Sequence, residues 1–172
     1  MPTIRANNVD LYYEESGRAD APVILLVMGL GAQMIAWPEE FIQGLVGKGY
    51  RVIHYDNRDV GMSQRMEGAQ VPNLVWTMLK ARIGLPVGVP YTLGDMAADG
   101  IGLLDSLGIE KAHVVGASMG GMIVQLMAAN HAERTLSMTS IMSSSGKPGL
   151  PGARADIQRR FMVKRAPDAS RE

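Results

Sequence analysis

Gly116-Ala117-Ser118-Met119-Gly120 is the stretch whose residue types and spacing point most directly to chemistry. It follows an apolar, strand-like run, Ala112-His113-Val114-Val115, and leads into a helix-like run from Met119 to Ala129. In that setting a G-x-S-x-G pattern reads as a nucleophile elbow. A sharp strand-to-helix turn crowds the positions two before and two after the serine. Gly116 and Gly120 let the backbone fold there while the Ser118 hydroxyl is pushed outward. The same turn sets Ser118 at the positive end of the helix dipole and aims the Met119 N–H at the place where a carbonyl oxygen becomes an oxyanion. The competing reading is a glycine-rich turn that merely caps a helix.

A serine hydroxyl is a poor nucleophile until a base takes its proton, and the usual base is a histidine oriented by an acid. The chain has three histidines. His131 falls near the far end of the helix that Ser118 begins, roughly 20 Å away at a rise of ~1.5 Å per residue. His113 precedes the serine on the same strand by about 16 Å of extended backbone. His54 lies inside an earlier strand and reads as a core histidine. A base for Ser118 is therefore not expected among these three.

The elements that must position the elbow are legible on both sides of it. Thr3 to Ala6 and Val9 to Glu14 read as strands joined by an Asn7-Asn8 turn. Val23-Ile24-Leu25-Leu26-Val27 is an unbroken apolar run, the pattern of a parallel strand covered on both faces. Trp37-Pro38-Glu39-Glu40 opens a helix with acids in its first turn, and Gly47 and Gly49 close it. Tyr50 to Tyr55 is the next strand. Residues 57–90, rich in Gly and Pro, read as an insertion containing a short apolar helix over 74–83. Leu93 to Leu107 has helical periodicity ending at Gly108, and Leu136 to Met142 reads as a sixth strand. Strand and helix alternating in this order specify a parallel, three-layer α/β sheet within one unit over 1–146. Residues 147–172 read as a linker or the start of a cap.

Composition removes several classes of function. Lys plus Arg and Asp plus Glu both number 17 and are scattered, so there is no basic patch for nucleic acid or an anionic membrane. Cysteine is absent, which excludes disulfides and thiolate metal sites. The N-terminus is polar, and the longest apolar run, Val23 to Leu30, is too short to span a bilayer. The expectation is a cytoplasmic protein. Thirteen methionines, Met28, Met34, Met119 and Met122 among them, suit an adaptable apolar pocket, although core filling accounts for most.

Four blocks in order resemble the α/β-hydrolase superfamily, in particular its bacterial esterase, haloperoxidase-like and aclacinomycin-methylesterase-like members. They are Val27-Met28-Gly29-Leu30-Gly31, Asp56-Asn57-Arg58-Asp59-Val60-Gly61-Met62-Ser63, Asp95-Met96-Ala97-Ala98-Asp99, and Ala112 to Gly121. The resemblance implies a three-layer α/β-hydrolase fold with a mostly parallel sheet, truncated after about the sixth of eight strands. It implies Ser118 as nucleophile, an oxyanion hole made by the backbone N–H groups of Leu30 and Met119, a small-molecule ester as substrate, and neither cofactor nor metal. Many relatives carry His-Gly where this chain has Met28-Gly29, which leaves open what holds the oxyanion loop. Arg58 and Asp59 read as a polar network shaping their turn rather than as substrate clamps. Trp76, Leu79, Ile83, Leu85, Val87 and Val89 would lie over the cleft mouth. By the same resemblance the triad acid and histidine follow strands beyond Glu172, and His54 lies two strands from the serine. The sixth strand would then be an adhesive edge, pairing in a homo-oligomer or with a C-terminal portion. A perhydrolase or haloperoxidase-like activity and a non-catalytic binding or assembly module are the alternative functions.

Overall fold

Asn7 and Asn8 both adopt positive φ, 47° and 64°, as a two-residue hairpin turn requires and as asparagine tolerates. They join β1 (Thr3–Ala6) to β2 (Val9–Ser16) as antiparallel partners. The computed structural model describes residues 3–66, 88–147, 149–150, 154 and 157. After the hairpin come β3 (Val23–Val27), α1 (Glu39–Val46) and β4 (Arg51–Tyr55), then α2 (Leu93–Ser106), β5 (Ala112–Ala117), α3 (Met119–Asn130) and β6 (Thr135–Ile141). The sheet order is β1-β2-β4-β3-β5-β6, with β2 antiparallel to β4 and β4, β3, β5 and β6 mutually parallel.

Every residue of β3 is buried, because helices cover both faces of the sheet. Ile24, Leu26 and Val52 pack with Trp37 and Ile42 on the α1 side. Leu25, Val27 and Ile53 pack with Leu104 of α2 and Ile123 of α3 on the other. Pro38 is the N-cap of α1, so its missing N–H costs the helix nothing, and Glu39 and Glu40 occupy the first turn. Thr92 and Asp95 start α2 through a reciprocal capping box. Among the described residues no helix is long and apolar enough to cross a membrane.

Residues 57–66 fold back on the hairpin. Gln64 N donates to Asp10 O, and Ser63 Oγ donates to Asp56 O at 2.6 Å and accepts from Tyr12 N at 2.9 Å. Arg58 turns inward and meets Asp99 of α2 in a two-pronged pair, Nε to Oδ2 at 2.6 Å and Nη2 to Oδ1 at 2.5 Å. Asn7 Nδ2 donates to the same carboxylate at 2.9 Å, and the Arg58 guanidinium lies 5.0 Å from the Tyr91 ring centroid. Asp59 accepts from Met66 N. Arg58 and Asp59 thus bind structural partners, as a turn-shaping network does. The helix read over 74–83, the side chains Trp76, Leu79, Ile83, Leu85 and Val87, and nearly all of 147–172 lie outside the described residues.

The side chains of Arg58 and Asp99 are 6% and 2% exposed, so removing one strands a buried charge. Asp99→Ala is expected to lower folding stability by about 3–5 kcal/mol, read as a fall in urea midpoint. An Arg58→Met, Asp99→Leu double variant is expected to recover most of that loss. A single variant within about 1 kcal/mol of the parent would show that the pair does not hold the turn.

Candidate active site

The connections from β3 to β4 and from β4 to β5 run in opposite directions across the sheet. In open parallel sheets that reversal leaves a crevice at the carboxyl ends of the strands. Here the crevice lies between the ends of β3 and β5, where the loop beginning at Met28 faces the turn at Ser118.

Ser118 has φ 56° and ψ −121°, a conformation sparsely populated by residues other than glycine, and its side chain is exposed. Two hydrogen bonds and two close backbone approaches force it there. Ser118 N donates to Ile141 O at the end of β6, and Gly121 N returns to Ser118 O, both at 2.9 Å. A Cβ on Gly116 would stand 2.1 Å from Gly120 O, and a Cβ on Gly120 would stand 2.1 Å from Val27 O. The two glycines are therefore required by backbone-to-backbone packing of the turn against itself and against β3. Among the described residues nothing hydrogen-bonds Ser118 Oγ. Met119 is the first residue of α3, so its N–H lies at the helix terminus where partial positive charge accumulates.

The loop after β3 lies against the serine: a Cβ on Gly29 would be 3.0 Å from Ser118 Cβ and 3.4 Å from its Oγ. Leu30 follows and is 82% exposed. Two residues that sequence reasoning placed in a motif but gave no role hold this loop. Asp56 is buried, and its Oδ1 accepts from Met34 N at 2.7 Å while Oδ2 accepts from Met62 N at 3.0 Å. Asn57 Nδ2 donates to Met28 O at 2.9 Å. The available signal was register: Val27 pairs with Tyr55, so residues just past the end of β4 stand beside those just past the end of β3.

The three histidines stay apart from the serine. Leu26 is in register with both His54 and Val115. His54 is thus two strands, ~10 Å, to the side, at the level of a residue ~10 Å below Ser118 along β5. Its ring is buried and its Nδ1 has no partner among the described residues. His113 Nδ1 is 2.8 Å from Ser137 Oγ, and His131 caps the far end of α3. Ser143 lies two residues past the end of β6, and its buried Oγ has no partner among the described residues. No cluster of three or more metal-ligating side chains occurs among the described residues.

A cleft of about 620 Å³ opens between the two loops, lined by Leu30, Gln33, Ile35, Val60 and Arg65 among others. Its lining includes Leu30 but not Ser118.

A family model described as the alpha/beta hydrolase fold matches residues 22–167. The chain belongs to this hydrolase family. It is similar to the rhodomycin D methylesterase of Streptomyces peucetius, 36% identical over 148 residues, covering 84% of this chain and 43% of that protein. Epoxide hydrolase A of Mycobacterium tuberculosis is 28% identical over 158 residues, covering 92% and 42%. The crystal structure of an enol-lactonase from Burkholderia xenovorans superposes with a TM-score of 0.68 at 28% identity, covering 84% of this chain and 47% of that one. The chain spans about half the length of the curated relatives it matches.

Two consequences can be measured. Gly120→Ala puts a methyl group into the Val27 carbonyl, which is fixed backbone, so β3 and the elbow must separate. A loss of about 3 kcal/mol or more in urea unfolding is expected, and a variant as stable as the parent would refute the packing account. Burial lowers the His54 pKa below its ordinary 6.5, against the pull of Glu14, Glu39 and Asp56. The unfolded chain then takes up the proton first as the pH falls. Stability is expected to be insensitive to this group above about pH 7 and to decline below 6.5 by up to about 1.4 kcal/mol per unit, until the folded form also protonates. In His54→Gln the decline between pH 7.5 and 5.5 is expected to shrink.

Proposed function

We propose that the complete protein hydrolyses carboxylic esters through an acyl-enzyme on Ser118, with the backbone N–H groups of Leu30 and Met119 as the oxyanion hole. The observation that carries this reading is the exposed serine held at positive φ on a helix N-terminus, with the Gly29 backbone packed against its hydroxyl. Its oxygen would attack the ester carbonyl, the two N–H groups would stabilise the oxyanion, the alcohol would leave, and water would release the acid. A methylesterase among the relatives supports a small alcohol as the leaving group. Epoxide opening fits less well, because a serine alkylated by an epoxide is an ether that water does not cleave, whereas an acyl-serine turns over.

The base is the missing function. The positions of His54, His113 and His131 support a histidine and acid supplied from outside the described residues. The last strand in the order, β6, exposes Leu136 and Met138. Pairing of a further segment along this edge would bring such groups to the crevice.

A fluorophosphonate is expected to label Ser118 and no other serine, and peptide mapping that found it on Ser63 or Ser143 would exclude the assignment. The chain alone is expected to label slowly. Adding a separately expressed segment equivalent to the remainder of the longer relatives should raise p-nitrophenyl ester hydrolysis by at least about 10³-fold. Ser118→Ala should abolish that gain. Equal rates with and without the added segment would overturn the proposal that the base lies outside.

A further inference from the structure

The loop that carries Leu30 contains Gly29, a residue with wide conformational freedom, at the point where direction matters most. We propose that Asn57 is a positioning residue for the oxyanion hole: its side-chain amide locks the Met28–Gly29 peptide and so sets the direction of the Leu30 N–H. This inference rests on the reading of Ser118 as the nucleophile.

Asn57 is 2% exposed, and its Nδ2 donates to Met28 O at 2.9 Å. A carbonyl can only accept, so the partner itself fixes which end of the Asn57 amide faces the loop. The same Met28 O lies 2.8 Å from where a Cβ on Gly120 would be, which wedges this peptide between Asn57 and the elbow. The next peptide, Gly29–Leu30, carries the proposed donor N–H on one side. Its carbonyl, Gly29 O, accepts from Ala32 N at 3.2 Å. One swivel, the φ and ψ of Gly29, separates the two planes. With the upstream plane held by Asn57 and the downstream plane by Ala32, the N–H has a single direction before substrate arrives. That is the condition under which an oxyanion donor contributes to rate. Asp56, one residue earlier, anchors the far end of the loop at Met34 N. Support for the Met28-Gly29 loop thus comes from the end of β4.

Asn57→Asp keeps the shape and replaces the donor with an acceptor facing Met28 O. Losing an oxyanion donor outright costs about 10²–10³-fold, so a misdirected one is expected to slow the maximal rate of fluorophosphonate labelling of Ser118 by about 10–100-fold. The reagent concentration at half-maximal rate should stay within about twofold, because the reagent is bound before charge develops. The introduced carboxyl regains a donor when protonated, so the ratio of variant to parent rates should rise as the pH falls from 7 to 5. A purely structural role would not produce that rise. Labelling within twofold of the parent at both pH values overturns the proposal. Amide exchange in the parent chain provides the measurement that needs no variant. At least one Asn57 side-chain N–H should exchange about 10-fold or more slowly than in an exposed asparagine, and free exchange of both protons overturns the proposal even if Asn57→Asp fails to fold. If the parent does not label at Ser118 even with the added segment, the nucleophile reading fails by itself, and the exchange measurement still decides whether Asn57 holds the loop.

Discussion

The carbonyl oxygen of Val27 occupies the space that any side chain on Gly120 would need, with 2.1 Å between it and a notional Cβ. From that contact follow the closeness of the β3 and β5 ends and the need for glycine at 120, while the turn's own backbone, Gly120 O against Gly116, requires the other glycine and keeps the tight course that holds Ser118 at positive φ. A backbone oxygen at the end of a fully buried strand cannot move aside as a flexible side chain does. The strain at Ser118, of order 1–3 kcal/mol for such conformations, is sustained because the surrounding sheet over-determines it.

The turn after β4 works as the complement of that contact. Asp56 and Asn57 reach across to the loop after β3, and Arg58 reaches the opposite way to α2, so three consecutive side chains tie three parts of the molecule together. Gly61, at φ 55°, is what allows the close return, since a Cβ there would sit on the Asp56 carboxylate. Burial raises the Tyr55 pKa well above its ordinary value, and its hydroxyl has no partner among the described residues. The apolar packing between β4 and α2 is therefore compatible with one unpaired hydroxyl beside a fully satisfied ion pair.

What could be read from the sequence divides along the range of the interactions. The Asn7-Asn8 turn, the unbroken apolar β3 and the elbow each rest on neighbouring residues, and the alternation of strand and helix gave the layering. Support for the loop after β3 was not legible, because Asn57 and Met28 are 29 residues apart and their meeting depends on which strands become neighbours. Substitution of the familiar histidine by Met28 left a question that local reasoning could not answer. Arg58 was read as part of a polar network, but its partner, 41 residues on, emerged only from the packing of α2. β6 was legible as a strand, whereas its largely exposed side chains depend on what covers it and carry no periodic signature.

The contact of Asn7 with Asp99 closes a span of 92 residues. At ~5–20 residues per second, a ribosome needs roughly 5–20 s to make that much chain. The N-terminal hairpin is thus among the first segments available for collapse, yet it is not locked in place until α2 has been made. A two-stranded hairpin alone is marginal in water. During synthesis β2 waits for β4, and both wait for α2 before Arg58 and Asn7 find their shared carboxylate. The first segment made therefore depends, for its side-chain contact with α2, on chain that is made 92 residues later.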